Sequence, residues 1–497
     1  MTFSYIQIQD FCNLINFEMN FKKLEEQDSP INLNVLVGKN GSGKSCLLDA
    51  LFEIGSNNLK NKIGNEDATS FKYKMLVGNN KQNILCEKPI SKKELHIPKE
   101  EKKTHLWDKV FRFYTGSTHR QNNDASNEVF DLAEDDIKWV LTALFLSGYW
   151  NEVEKCDKLK ELWNKVLKLC SGYNFSDDCD KLIIPKVIWL DQDYDKEKTK
   201  KEHIEYITNY LKVKEPNFTN LIDESTIRYF WNLNSEDKIY ELIKSKPLDI
   251  FNLLVNKFDK KRKTFTLNEA FINTGFLYSN YNDDNILFPD QSLSDGELAI
   301  LRRFALLMML REENINVETP EKYLILLDEP ETHFNESWKT YFMYLIEEIF
   351  RDEKEKHDIF IATHSAMLVT DVKKNELHRL YKSGNGAKEQ YIEYNTFGGN
   401  VVDIGRALFQ MESDIGERSK NEIEAAIKGV ETICKKEKDE KCLDIKIQKD
   451  KLNKLLKHVG AGEWRWKIRA KLNQLEKHNK EYCYYLKEKN KDATNNE

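Results

Sequence analysis

The octapeptide Gly38-Lys39-Asn40-Gly41-Ser42-Gly43-Lys44-Ser45 most constrains what this chain can fold into. Its spacing is G-x-x-x-x-G-K-S, a phosphate-binding loop. The residues before it, NLNVLV, read as a buried strand, and those after it, CLLDALFEI, read as a helix with an apolar stripe. The glycines let the backbone curl with its N–H groups pointing inward, and the helix N-terminus adds a positive dipole end. Gly38, Asn40, Gly41, Ser42, Gly43 and Cys46 would supply that backbone. Lys44 would reach the β- and γ-phosphates of ATP, and the Ser45 hydroxyl would reach Mg2+. The competing reading, a structural glycine-rich turn, is disfavoured by the correct strand and helix flanks.

The chain has 497 residues, enough for two or three domains, with 40% hydrophobic and 32% charged residues. There is no apolar run of membrane-spanning length, and the first residues, MTFSYIQIQDF, lack the basic and apolar regions of a signal peptide. The nine cysteines form no C-x-x-C pair, so they read as reduced thiols of a cytoplasmic protein rather than as a disulfide or zinc framework. Charge is uneven. Lys441 to Lys491 hold fifteen Lys/Arg and six Asp/Glu, a local +9 on a chain of net −7, so the remainder carries −16. Such a segment is either a solvated helical face or a docking surface for nucleic acid or an acidic partner.

Alternation at Tyr5–Ile8 and Phe17–Phe21 predicts antiparallel strands leading into the strand before the loop. Phe71–Leu76 and Asn83–Cys86 read as a hairpin, and Val110–Tyr114 as a further strand. From about residue 124 to 270 the pattern is mostly helical, with one strand candidate at Lys186–Leu190. The tail beyond Glu417 is helical and Lys-rich. The organisation expected is a nucleotide-binding half at 1–123, a helical insertion at 124–270, a second half at 271–395 and a basic helical extension at 396–497. The fold class expected is α/β: a mixed sheet plus antiparallel N-terminal strands, split by the insertion.

Further segments carry chemistry. Tyr323-Leu324-Ile325-Leu326-Leu327-Asp328-Glu329 is an apolar strand ending in two carboxylates. Asp328 is suited to Mg2+ and Glu329 to polarising a water as general base. Ile359-Phe360-Ile361-Ala362-Thr363-His364 is a second apolar strand that delivers a histidine at its end. Leu293-Ser294-Asp295-Gly296-Glu297 precedes a helical run. Alone it is an ordinary N-cap with a capping-box Glu, but it also forms an anion site at a helix start. Gln192, after the strand KVIWL, is a candidate metal-side glutamine or a surface loop residue. Trp464-Arg465-Trp466 puts two tryptophans on different sides of one helix, so one should pack inward and the other face outward.

In their order along the chain these segments resemble ABC/SMC-like ATPases of the RecF and OLD type, whose nucleotide-binding domain is split by a long insertion. The phrases LLDEPETHFNESWKTY, FRFYTGSTHR, ATHSAMLVTD and GAGEWRWKIRAKL are similar to the PtuA-type ATPase subunits of Septu and retron-associated anti-phage systems. The resemblance leaves residues 125–270 uncovered. It implies a head-to-tail dimer in which Ser294, Gly296 and Glu297 of one chain close on the ATP held by the other. It also implies a crossing loop at Glu331–Asn335, and a His364 that senses the γ-phosphate. Lys44, Glu329 and His364 would carry slow hydrolysis.

OLD-type relatives carry a Toprim nuclease with a D-x-D cluster, which is not found after His364, and no clustered His and Cys suggest an HNH nuclease. The resemblance therefore implies a separate HNH nuclease subunit, PtuB-like, and in retron-linked versions a reverse transcriptase with its DNA–RNA product. The alternatives are a RecF/SMC-like repair or chromosome-maintenance ATPase, a non-catalytic ATP-binding scaffold and, more weakly, a transporter nucleotide-binding domain.

Overall fold

A computed structural model describes residues 2–21, 31–60, 71–79, 82–87, 106–115, 128–146, 293–312, 319–351, 353–384, 386–411, 413–435 and 442–494, with strands and scattered helical positions between 161 and 289. It divides into two compact units, Met1–Gln410 and Met411–Glu497.

The first unit is built on a seven-stranded sheet. Its strands are β3 (Ile31–Val37), β6 (Lys109–Tyr114), β7 (Val129–Ala133), β15 (Tyr323–Asp328), β16 (His357–Ala362), β17 (Leu377–Ser383) and β18 (Gly386–Gln390), in the order β18-β17-β3-β16-β15-β6-β7. All neighbours are parallel except the β17–β18 hairpin. Sequences such as INLNVLV and YLILLD are apolar at nearly every position because both faces of a parallel sheet are covered.

The period of two sorts these residues between two cores. Val35, Val37, Ile325, Leu327, Ile359 and Ile361 face one side. That side is filled from α2 (Glu134–Leu146), α3 (Asp295–Glu312), α4 (Glu336–Phe350), α5 (Ala366–Val369) and α6 (Val401–Phe409). Leu36, Leu324, Leu326, Phe360 and Ala362 face the other, where α1 (Lys44–Lys60) packs with Leu47, Leu48, Leu51 and Phe52. Helix α1 lies so close to β6 that a Cβ on Gly55 would sit 2.8 Å from a Val110 methyl.

The same core takes Ile6, Ile8, Phe17 and Met19 from an antiparallel sheet of β1 (Thr2–Phe11), β2 (Leu14–Asn20), β4 (Tyr73–Asn79) and β5 (Gln82–Glu87), ordered β2-β1-β4-β5. The expected N-terminal strands and the 71–86 hairpin are therefore present. This is the mixed α/β architecture that the sequence implied.

Between 124 and 270 the described elements are β7, α2, β8 (Ile184–Asp193), β9 (Phe218–Leu221), β10 (Thr226–Asn232), β11 (Asn256–Asp259) and β12 (Thr264–Leu267). The single expected strand falls inside β8, while β9, β11 and β12 are only four residues each and β10 lies in a stretch whose pattern predicts helix. Strands β13 (Asn273–Asn280) and β14 (Asp283–Pro289) join β8, β10 and β9 in a separate five-stranded antiparallel sheet.

The second unit is a three-helix bundle of α7 (Glu417–Lys435), α8 (Cys442–His458) and α9 (Glu463–Thr494). Ile423, Ala426, Val430, Ile445, Leu452, Ile468, Leu472 and Leu475 form its core at helical spacing. No helix among the described residues is long and apolar enough to cross a membrane.

Candidate functional site

The C-terminal ends of β3, β16, β15 and β6 lie at one edge of the sheet, with Leu36 opposite Ala362, Ala362 opposite Asp328 and Asp328 opposite Tyr114. This is where open parallel sheets bind ligands. The loop 38–43 leaves β3 there and enters α1. Gly38, Gly41 and Gly43 have φ of 148°, 74° and 104°. A Cβ on Gly38 would stand 2.2 Å from the Leu380 carbonyl oxygen, so this position is closed to larger residues by space as well as by conformation.

The turn between β1 and β2 props the loop from outside. The Asn13 side-chain amide donates to the Gly41 carbonyl at 3.1 Å. The Cys12 thiol of the same turn is hydrogen-bonded to Cys46, whose own thiol is pushed up to about 11, chiefly by burial.

Lys44 is only 5% exposed. Its ammonium donates to the carbonyls of Gly38 at 3.0 Å and Lys39 at 3.4 Å, and lies 2.7 Å from His364 Nε2. Burial lowers its pKa to about 8 against the opposing pull of Glu329, Asp328 and Glu331. Burial and then the Lys44 charge hold His364 below the usual histidine range, with Glu329 acting in the opposite sense. A neutral His364 accepts a hydrogen bond from the Lys44 ammonium at Nε2 and carries its own proton on Nδ1. Glu329 Oε1 stands 3.4 Å from the same Nε2. Three groups from three chain segments thus converge on one point beside the loop.

Glu329 has a left-handed backbone, φ 50°, and its N–H donates to the Ala362 carbonyl at 2.8 Å. A non-glycine residue held there costs about 1 kcal/mol, a strain found most often at functional sites. The preceding Asp328 is hydrogen-bonded to Ser45, and burial raises its pKa despite that bond. Its Oδ1 is buried without a hydrogen-bond partner. A hydroxyl and a carboxylate oxygen side by side are a hard-oxygen pair suited to Mg2+, which commonly takes one or two protein ligands.

Glu331 was legible only as the first residue of the loop after the acidic pair. In the structure it is buried, with its pKa raised chiefly by that burial. It accepts a short hydrogen bond from the Thr363 hydroxyl and another from the backbone N–H of His364. Thr363 Oγ1 in turn accepts from the Ser365 N–H at 2.9 Å. The carboxylate therefore holds the turn that presents His364. The only cue in the sequence was a third acidic residue in D-E-P-E.

Arg112 of β6 also escaped sequence reading, as one basic residue in an apolar strand. It is buried, stacks on the Phe52 ring at 4.0 Å and bridges Asp49 of α1 (2.7 Å) to Asp131 of β7. Asp49 lies one helical turn beyond Ser45, so this bridge fixes the start of α1 against the sheet.

Ser294 and Glu297 form the capping box of α3. The Ser294 N–H donates to the Glu297 carboxylate at 2.6 Å, and the Glu297 N–H to Ser294 Oγ at 3.4 Å. Ser294 is exposed. Gly296 is pressed onto the loop after Glu329, where a Cβ would lie 2.7 Å from the His333 carbonyl oxygen. His333 is itself left-handed, φ 71°. The structure thus brings together Gly38 to Cys46, Asp328, Glu329 and His364, and couples Gly296 to their following loop. Gln192 lies in β8 of the five-stranded sheet, paired with Ile227. Of the segment 114–120, only Tyr114 and Thr115 fall within the described residues. No group of three or more His, Cys, Asp and Glu poised to hold a metal occurs among the described residues.

No protein-family model matches the chain, and no curated protein matches it significantly. Solved structures align at low identity, and two of them are SMC heads. One is an SMC head bound to the C-winged helix domain of ScpA: 10% identity, 79% of this chain, 98% of that chain, TM-score 0.33. The other is the SMC head domain from Thermotoga maritima: 12% identity, 79% of this chain, 100% of that chain, TM-score 0.32.

Proposed function

We propose that this chain is an ABC-type ATPase that binds ATP, hydrolyses it slowly and uses the nucleotide as a switch for a partner. The observation that carries the reading is the convergence of Lys44 Nζ, His364 Nε2 and Glu329 Oε1 beside a glycine loop whose positive φ angles suit a phosphate cradle. Every donor of Lys44 is spent on Gly38, Lys39 and His364, so an arriving phosphate exchanges with at least one of them. That exchange ties phosphate occupancy to the position of His364. Glu329 is the general base, and Ser45 with Asp328 holds Mg2+, which neutralises phosphate charge when bound. Ser294 and Gly296, at an exposed helix start, are offered to a second copy in a head-to-tail dimer. Glu297 keeps that helix start capped.

The resemblance of the motif phrases to Septu and retron-associated ATPase subunits supports a role in prokaryotic anti-phage defence. In that reading the dimer restrains or licenses a separate HNH nuclease, with a reverse transcriptase and its DNA–RNA product in retron-linked complexes.

The Glu329→Gln variant tests the switch. It is expected to lose at least 100-fold in ATP turnover, typical for removal of a positioned base. It should also accumulate as an ATP-bound dimer in light scattering. Unchanged turnover would show that Glu329 is not the base and would remove this reading of the site.

A further inference from the structure

The C-terminal bundle carries the chain's excess positive charge, and its side chains divide into two populations. One population is consumed by the bundle. Lys471 pairs with Glu431 at 2.9 Å, Lys449 with Glu476 at 2.8 Å and Lys467 with Glu463 at 2.7 Å. Arg465 donates to the Leu456 and Val459 carbonyls at 2.8 and 2.5 Å, closing the end of α8. Trp464 belongs with them, since its indole N–H donates to Asp414 at 3.0 Å and Lys467 lies over its ring.

The other population is unspent. Arg469, Lys477, Lys480 and Lys487 are exposed and make no hydrogen bond or close ion pair among the described residues, although Lys480 also feels Glu476, the partner of Lys449. They share one face of α9 with two exposed aromatics, Trp466 at 69% and Tyr484 at 66% exposure. At about 100° per residue, Trp466, Asn473, Lys477 and Tyr484 fall within about 20° of a single line, and the other three cations lie within about 60° of it. Ile468, Leu475 and Tyr482 are buried on the opposite side. The aromatics stand about 27 Å apart along the axis. The acidic neighbours on this face are Glu463, which pairs with Lys467, Glu481, and Glu488, which the Tyr484 hydroxyl engages.

Flat apolar rings between unpaired cations fit a polyanion whose repeating units have exposed π-faces. In a duplex the bases are already stacked on one another and would use only the cations. An acidic peptide would likewise leave Trp466 in water. We propose that this face of α9 binds single-stranded nucleic acid, with Trp466 and Tyr484 stacking on bases and Arg469, Lys477, Lys480 and Lys487 meeting phosphates. The site lies wholly within the C-terminal unit, so it does not depend on the nucleotide reading above.

The test is fluorescence anisotropy of a labelled oligo(dT) of about 20 nucleotides with the full-length protein, over a salt series. Trp466→Ala should raise Kd about 5- to 10-fold at fixed salt and leave the slope of log K against log salt unchanged. The pair Lys477→Glu with Lys480→Glu should make that slope shallower by about 1.4. Lys451→Glu with Lys454→Glu, on α8, should change neither quantity beyond the small effect of net charge. All substituted positions are exposed, and circular dichroism verifies that the bundle remains folded. The proposal is overturned if the Trp466 and Lys477/Lys480 variants keep the parent Kd and slope. Equal or tighter binding of a duplex or of polyglutamate overturns it as well, as does no binding at low salt up to about 50 µM protein.

Discussion

Lys44 is a buried ammonium whose charge is maintained against its surroundings. Its pKa of about 8 lies below the ordinary lysine value because burial outweighs the three nearby carboxylates. Phosphate binds the charged form. That form dominates below pH 8 and is lost above it, so nucleotide affinity should fall as pH rises. The expected drop in ATP affinity between pH 7 and pH 9 is about tenfold, read by titration calorimetry in Mg2+ buffer. Lys44→Arg, which stays charged throughout, should flatten the profile even where it weakens binding. An affinity unchanged between pH 7 and pH 9 in the parent protein would show that this ammonium does not hold the phosphate. At this scale the sequence was informative where a residue type and a spacing were both required, as for Lys44, Asp328 and His364. The left-handed backbone of Glu329 could not be read, because it follows from the N–H bond to Ala362 on a strand adjacent in space and distant in sequence.

The elements of the site are held together by buried polar links rather than by apolar packing alone. The Glu331 carboxylate, reaching from the end of β15 to Thr363 and His364 at the end of β16, is the tightest of them. Glu331→Ala would leave the Thr363 hydroxyl and a backbone N–H without an acceptor, and should destabilise the first unit by about 2–3 kcal/mol in denaturant unfolding. Glu331→Gln keeps one acceptor oxygen and should lose only about 1 kcal/mol. A loss under about 0.5 kcal/mol for the alanine variant would mean that the link is not structural. Such links explain what the sequence concealed. Arg112 reads as a stray charge in VFRFY until Asp49 and Asp131 are brought to either side of it. β9, β11 and β12 span four residues each, too few to set a period, and β10 lies in a stretch whose pattern predicts helix, so neighbouring strands had to reveal them. Elements with strong periods, such as β3, β15, β16, α1 and α7, were visible because one pattern served both local propensity and the core.

For the whole molecule, the proposed site is complete only when two copies pair. In one chain Ser294 caps its own helix and is exposed, while the phosphate loop gathers its contacts from β3, β15 and β16. The order of motifs along the chain implies such pairing only through its resemblance to ABC/SMC-like ATPases, since a symmetric interface leaves no period of its own in a single sequence. Mixing two inactive variants tests it most directly. Lys44→Ala lesions one half of a composite site and Ser294→Arg the other. A mixed head-to-tail dimer then contains one doubly damaged site and one intact site. ATP turnover, absent in either variant alone, should return to about a quarter of the parent rate on mixing at equal concentration. Turnover that stays at the level of the separate variants would contradict such pairing.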